Sequence, residues 1–180
     1  INPVDFYSAS PAPAERWMPF CARRGLNAFH LAGFDSSDFY DRQRLDRRIE
    51  ALRDYVARLK RQGLFSGAYV YGFDEVQPDH YDQVKAVFQA IRDALPEVGR
   101  VCTVAPNKAL AGYVNVWVPH TSAYDRAAAD ERRATGDEVW WYISCGPNHP
   151  YANWFVDYPA TEPRLLFWMT WKYGATGFLY

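Results

Sequence analysis

Alternating strand and helix signals predict an α/β protein built on a parallel sheet. Three observations carry that expectation. The strand-like segments are short, near-continuous apolar runs, as expected of strands covered on both faces. Amphipathic stretches long enough to serve as crossover helices lie between them. Polar or reactive residues stand directly after the strands: His30, Asp74-Glu75, Asn107, His120 and the loop SCGPNHPYANW.

The elements follow in order. After a Pro-rich entry, Ala14 to Arg24 has helical spacing and stops at Gly25, and LNAFHLAG (Leu26 to Gly33) is a buried strand. In the next stretch Leu45, Ile49, Leu52, Val56 and Leu59 recur at three- and four-residue spacing, an apolar stripe under a charged face that ends at Gly63. SGAYVYGFDE is a strand, and PDHYDQVKAVFQAIRDALPEVG is an amphipathic helix opened by Pro78-Asp79 and stopped near Pro96. RVCTVAP and YVNVWVPH are strands, SAYDRAAADERRATG a helix and DEVWWYISCG a strand. TEPRLLFWMTWKYG is a helix begun at Glu162-Pro163, with Trp168 and Trp171 expected in the core, and ATGFLY is the sixth strand.

Six strands allow an open doubly wound sheet or part of an eight-stranded barrel. A dinucleotide-binding open sheet would carry a GxGxxG turn, and the sequence has none. Barrel enzymes keep their chemistry at the carboxyl ends of the strands, where the reactive residues fall here. A full barrel takes about 250 residues, so 180 residues fall roughly two strand-helix units short. The expectation is a single partial catalytic domain over residues 1–180, with its first units upstream of Ile1. Unpaired edges at Leu26–Leu31 and Thr176–Tyr180 would then favour association between copies.

Composition narrows the partners. The chain is 49% hydrophobic with a net charge of -1 and no basic block, a poor fit to nucleic acid or an anionic membrane surface. No segment is apolar and long enough to span a bilayer. Cys21, Cys102 and Cys145 form no CxxC, and no HxH or HExxH spacing appears. The expectation is therefore no metal and no cofactor. Oligomeric state is left open.

Asp74 and Glu75 are the candidate catalytic pair. Acids after a strand often open a helix, but the following helix has its own start at Pro78-Asp79, so capping is partly redundant. Two carboxylates that share glycosidic work stand on opposite sides of the bond, at least about 5 Å apart. Sequence neighbours cannot easily straddle a sugar that way. The pair suits the exception in which the substrate's own 2-acetamido oxygen is the nucleophile. Glu75 would then be the general acid and base, and Asp74 would orient the acetamido N–H and steady the oxazolinium cation. Crowding is expected to raise the pKa of one of the two acids. His30, Asn107, Asn115, Trp117, Tyr142 and Trp154 are the candidate substrate-binding residues. Trp154 would stack on a pyranose and Tyr142 would hold an acetamido oxygen. Two rival readings are an ordinary two-carboxylate glycosidase, with Asp157 or Asp35 opposite Glu75, and a non-catalytic carbohydrate-binding barrel fragment.

YGFDE, WWYISCGP, NWFVDYP, the helix with WMTWKYG and the closing GFLY, in this order, resemble glycoside hydrolase family 123 and related bacterial proteins over about Leu26 to Tyr180. The resemblance implies a (β/α)8 TIM barrel, of which this chain would hold strands 3–8. It implies a retaining, acetamido-assisted β-N-acetylgalactosaminidase acting on carbohydrate, with Asp74 orienting and Glu75 as acid/base. It also implies a secreted or periplasmic setting.

Overall fold

A computed structural model describes residues 11–180. They fall into two compact units: residues 11–73 with 77–101, and residues 74–76 with 102–180. Both are mixed α/β, and the ladders within each are parallel.

The first unit starts with α1 (Pro11–Ala22) and β1 (Phe29–Phe34). The stretch after β1 holds two helices, α2 (Ser36–Tyr40) and α3 (Arg42–Arg61), and the expected apolar stripe lies in the second. The break has a local cause. Asp35 caps α2 by accepting from the Ser37 N–H, and Asp41 caps α3 by accepting from the Arg44 N–H. Each short acid offers the backbone a partner that continued helix would not. Then come β2 (Ala68–Gly72), one 3-10 turn at Pro78–His80, α4 (Tyr81–Ala94) and β3 (Gly99–Cys102). β2 pairs with both β1 and β3. The α3 stripe of Leu45, Ile49, Leu52, Val56 and Leu59 is buried as its spacing requires, and Val84, Val87, Phe88 and Ile91 do the same on α4. At Gly72 a Cβ would come within 2.9 Å of the Phe88 ring and 3.1 Å of the Phe34 carbonyl, so the last residue of β2 has no room for a side chain.

The second unit holds β4 (Val116–Trp117), α5 (Arg126–Ala134), β5 (Glu138–Val139), β6 (Trp141–Tyr142), α6 (Glu162–Lys172) and β7 (Phe178–Leu179). β5 and β6 are two parts of the one strand expected from DEVWWYISCG. Glu138, Trp140 and Tyr142 donate their N–H groups to Asn115, Trp117 and Pro119 on one side. Trp141 and Ile143 donate to Gly177 and Leu179 on the other. That alternation marks an interior strand of a parallel sheet. Within this unit Val118 also donates to the carbonyl of Cys102.

Trp168 and Trp171 depart from expectation. They are 68% and 80% exposed, not core. The inward face of α6 is Glu162, Leu166 and Thr170, one residue every turn, and Thr170 takes the Trp141 indole N–H at 3.0 Å. Positions 168 and 171 point away from that line, and Leu165 and Phe167 are exposed beside them. Among the described residues no helix is long and apolar enough to cross a membrane.

The buried carboxylate of Asp38 ties α2 to α3. It accepts from the Asp35 N–H at 3.0 Å, from Arg44 Nε at 3.0 Å and from Arg48 Nη1 at 2.6 Å. Burial opposes its charge, but the Asp35 amide and the two guanidinium groups overcome that and hold its pKa below the ordinary aspartate range. This stabilisation is complete above the unfolded-chain aspartate pKa and is lost as pH falls through the lowered folded value. Asp38→Asn is expected to cost about 3 kcal/mol at neutral pH, the lower end for a broken buried pair because both arginines are partly exposed. Urea melts at pH 7 and pH 3 check this, with the gap between wild type and variant shrinking at the lower pH. The exposed indoles of Trp168 and Trp171 on α6 also predict association in solution, which light scattering across a dilution series would detect.

Candidate active site

The acids sit on a turn with unusual backbone geometry. Phe73 and Glu75 have φ of 57° and 47°, a left-handed conformation that side chains other than glycine rarely adopt. Each such residue costs on the order of 1–3 kcal/mol and persists only where neighbours enforce it. Asp74 lies between them, and both acids are exposed to solvent.

Thr103, the first residue past β3, does the enforcing. Its Oγ1 accepts the Glu75 N–H at 2.7 Å and donates to Asp74 Oδ1 at 2.8 Å. On the other side the Tyr142 hydroxyl, at the end of β6, donates to Glu75 Oε1 at 2.5 Å. Burial pushes the Tyr142 phenol well above its ordinary pKa; the hydrogen bond and charge of Glu75 add to that, followed by the charges of Asp74 and Cys145. Next to the acids the buried Cys102 thiol is pushed up to about 12 by burial and by the charge of Asp74, so it stays neutral. The His120 ring meets Tyr142 edge-on, with centroids 5.0 Å apart, and its Nδ1 lies 2.6 Å from Ser122 Oγ.

The loop after β6 is pinned from within. Asn153 is buried, donates Nδ2 to the carbonyls of Ser144 and Pro147, and gives its own N–H to Glu162 Oε2 at 3.1 Å. The His149 ring stacks on Tyr158 at 3.9 Å. Trp154 then lies against Phe178 at 5.2 Å and Tyr180 at 4.6 Å.

The second unit therefore brings Asp74, Glu75 and Tyr142 together. The remaining candidates are placed differently. Trp117 is fully buried and its indole N–H goes to Asp137 at 2.9 Å, so it has no face for a ligand and belongs to the core. The Asn107 side chain closes its own loop, accepting from the Leu110 N–H and donating to the Ala105 carbonyl. Asn115 is half-buried beside β4, and its carbonyl pairs with Glu138. His30 lies in the first unit with its ring beside Tyr69 and Tyr71. Trp154 is partly exposed within the aromatic group just described. Thr103 was not among the sequence candidates. Its signal was a hydroxyl residue directly after a strand, one strand along from the acids.

The Glycoside hydrolase 123, catalytic domain family matches residues 36–180, well over half of the chain and inclusive of both acids. The chain belongs to this family. The matched segment corresponds to the catalytic domain of that family. A family 123 glycoside hydrolase from Clostridium perfringens, described for glycolipid glycan hydrolysis, is similar in fold: TM-score 0.56, 15% identity, covering 75% of this chain and 24% of that one. A putative glycerophosphoryl diester phosphodiesterase from Silicibacter pomeroyi DSS-3 gives TM-score 0.54 and 15% identity, covering 92% of this chain and 52% of that one. The chain thus spans about a quarter and about half of their lengths. At such identity these two likenesses speak to fold alone. No curated protein sequence matches the chain.

The Tyr142–Glu75 contact has a direct readout. With 13C label at the tyrosine ring carbon bearing oxygen, one resonance absent from Tyr142→Phe is expected to titrate above the rest. Glu75→Gln removes the nearby charge and is expected to bring that midpoint down. No movement would mean that burial alone raises it.

Proposed function

We propose that the chain is part of a (β/α)8 catalytic domain that removes a terminal β-linked 2-acetamido sugar, N-acetylgalactosamine-type, with retention. The observation that carries this reading is the adjacency of the two acids on one strained turn, each with its own partner. Neighbouring residues held this way act from one side of a sugar, whereas paired glycosidase carboxylates flank the bond. The nucleophile is then the substrate's own acetamido oxygen.

In the first step Glu75 gives its proton to the leaving oxygen as the C1–O bond breaks. The acetamido carbonyl oxygen closes on C1 from the opposite face, forming an oxazolinium ion. Asp74 accepts the acetamido N–H, aligning the carbonyl and offsetting the positive charge. In the second step Glu75 takes a proton from water, which opens the ring at C1 and restores the original configuration. The Tyr142 hydroxyl, beside Glu75, holds the reacting carboxyl in place.

The two-carboxylate reading is less favoured. Asp35 is engaged as the cap of α2 and Asp157 is exposed on the loop before α6. Glu75→Gln is expected to lower kcat by about 10²–10⁴ on a substrate with a poor, alkoxide-like leaving group while leaving KM nearly unchanged. The matching 2-hydroxy sugar should react far more slowly than the 2-acetamido sugar with the wild-type chain. Equal rates would overturn the assisted mechanism. Sugar binding without turnover in the wild type would point to a carbohydrate-binding fragment.

A further inference from the structure

We infer that Thr103 is a positioning residue that sets both acids through one hydroxyl, an inference that rests on the reading just given. A threonine hydroxyl carries one proton and two lone pairs. The Glu75 backbone N–H can only donate, so it takes a lone pair of Oγ1 at 2.7 Å. The single proton of Thr103 is thereby directed to Asp74 Oδ1 at 2.8 Å. The order is one-way: amide to hydroxyl to carboxylate.

Two consequences follow. Asp74 is kept as a hydrogen-bond acceptor in a fixed orientation, as required of a group that must receive an acetamido N–H. Glu75 is kept at a φ of 47°, because the tie holds its amide where a relaxed backbone would not leave it. Thr103 is 5% exposed, so the clamp is buried while the acids it holds face solvent. Without the clamp, Glu75 relaxes toward an ordinary φ and its carboxylate leaves Tyr142.

Thr103→Val keeps the shape and removes the hydroxyl; Thr103→Ser keeps the hydroxyl and removes the methyl. Positioning and plain packing therefore predict opposite outcomes. Positioning expects Thr103→Val to lose about 10–100-fold in kcat on the 2-acetamido glycoside, with KM changed less than about threefold, and Thr103→Ser to stay within about threefold of wild type. It also expects the Tyr142 phenol midpoint to fall in Thr103→Val and to hold in Thr103→Ser. A harmless Thr103→Val with a damaged Thr103→Ser overturns the inference, as does an unmoved phenol in Thr103→Val. Should Thr103→Val not fold, Thr103→Ser decides: retained kcat and phenol midpoint support the role, and loss of either overturns it. If the wild type cleaves no 2-acetamido glycoside, the functional reading fails, and the phenol titration still decides whether Thr103 sets Glu75 beside Tyr142.

Discussion

The alternating backbone hydrogen bonds of residues 138–143 are the constraint on which the second unit depends. A strand that gives successive N–H groups to opposite neighbours cannot slip by one residue without losing both ladders. That register sends Trp141 and Ile143 into the core and leaves Tyr142 half-buried at the strand's end. The hydroxyl beside Glu75 is thus delivered by main-chain pairing before any side-chain preference acts.

The acids rely on a different economy. A turn with two non-glycine residues at positive φ is unfavourable by itself. It survives because the buried Thr103 supplies both an acceptor for the strained amide and a donor for the adjacent carboxylate. Tyr142 occupies the Glu75 oxygen from the other direction. The result is a pair of exposed carboxylates with little freedom, the arrangement that a group must have to act on a substrate without first being ordered by it. Burial and the charge of Asp74 keep the neighbouring Cys102 thiol protonated.

Much of the fold was legible because burial follows period. The five apolar positions of α3 sit at helical spacing and are all buried, and the apolar runs around Val70, Val101 and Val116 are strands. The break at Asp41 was less visible, because an acid reads equally as a solvated helix residue or a cap until the backbone shows which amide it takes. The tryptophans of α6 misled for a related reason. Spacing marks residues that share a face, and only the partner of Leu166 and Thr170 shows which face turns inward.

By itself the sequence determined the strand-helix order, the parallel pairing that such order demands, and the placement of Asp74-Glu75 at the end of a strand. These follow from local periodicity and from the reach of short connections. Tertiary structure alone decided that Thr103 and Tyr142 meet those acids and that Trp117 is packed away from solvent. Partners separated by 28 and 67 positions are brought together by sheet register, which no local stretch of chain encodes.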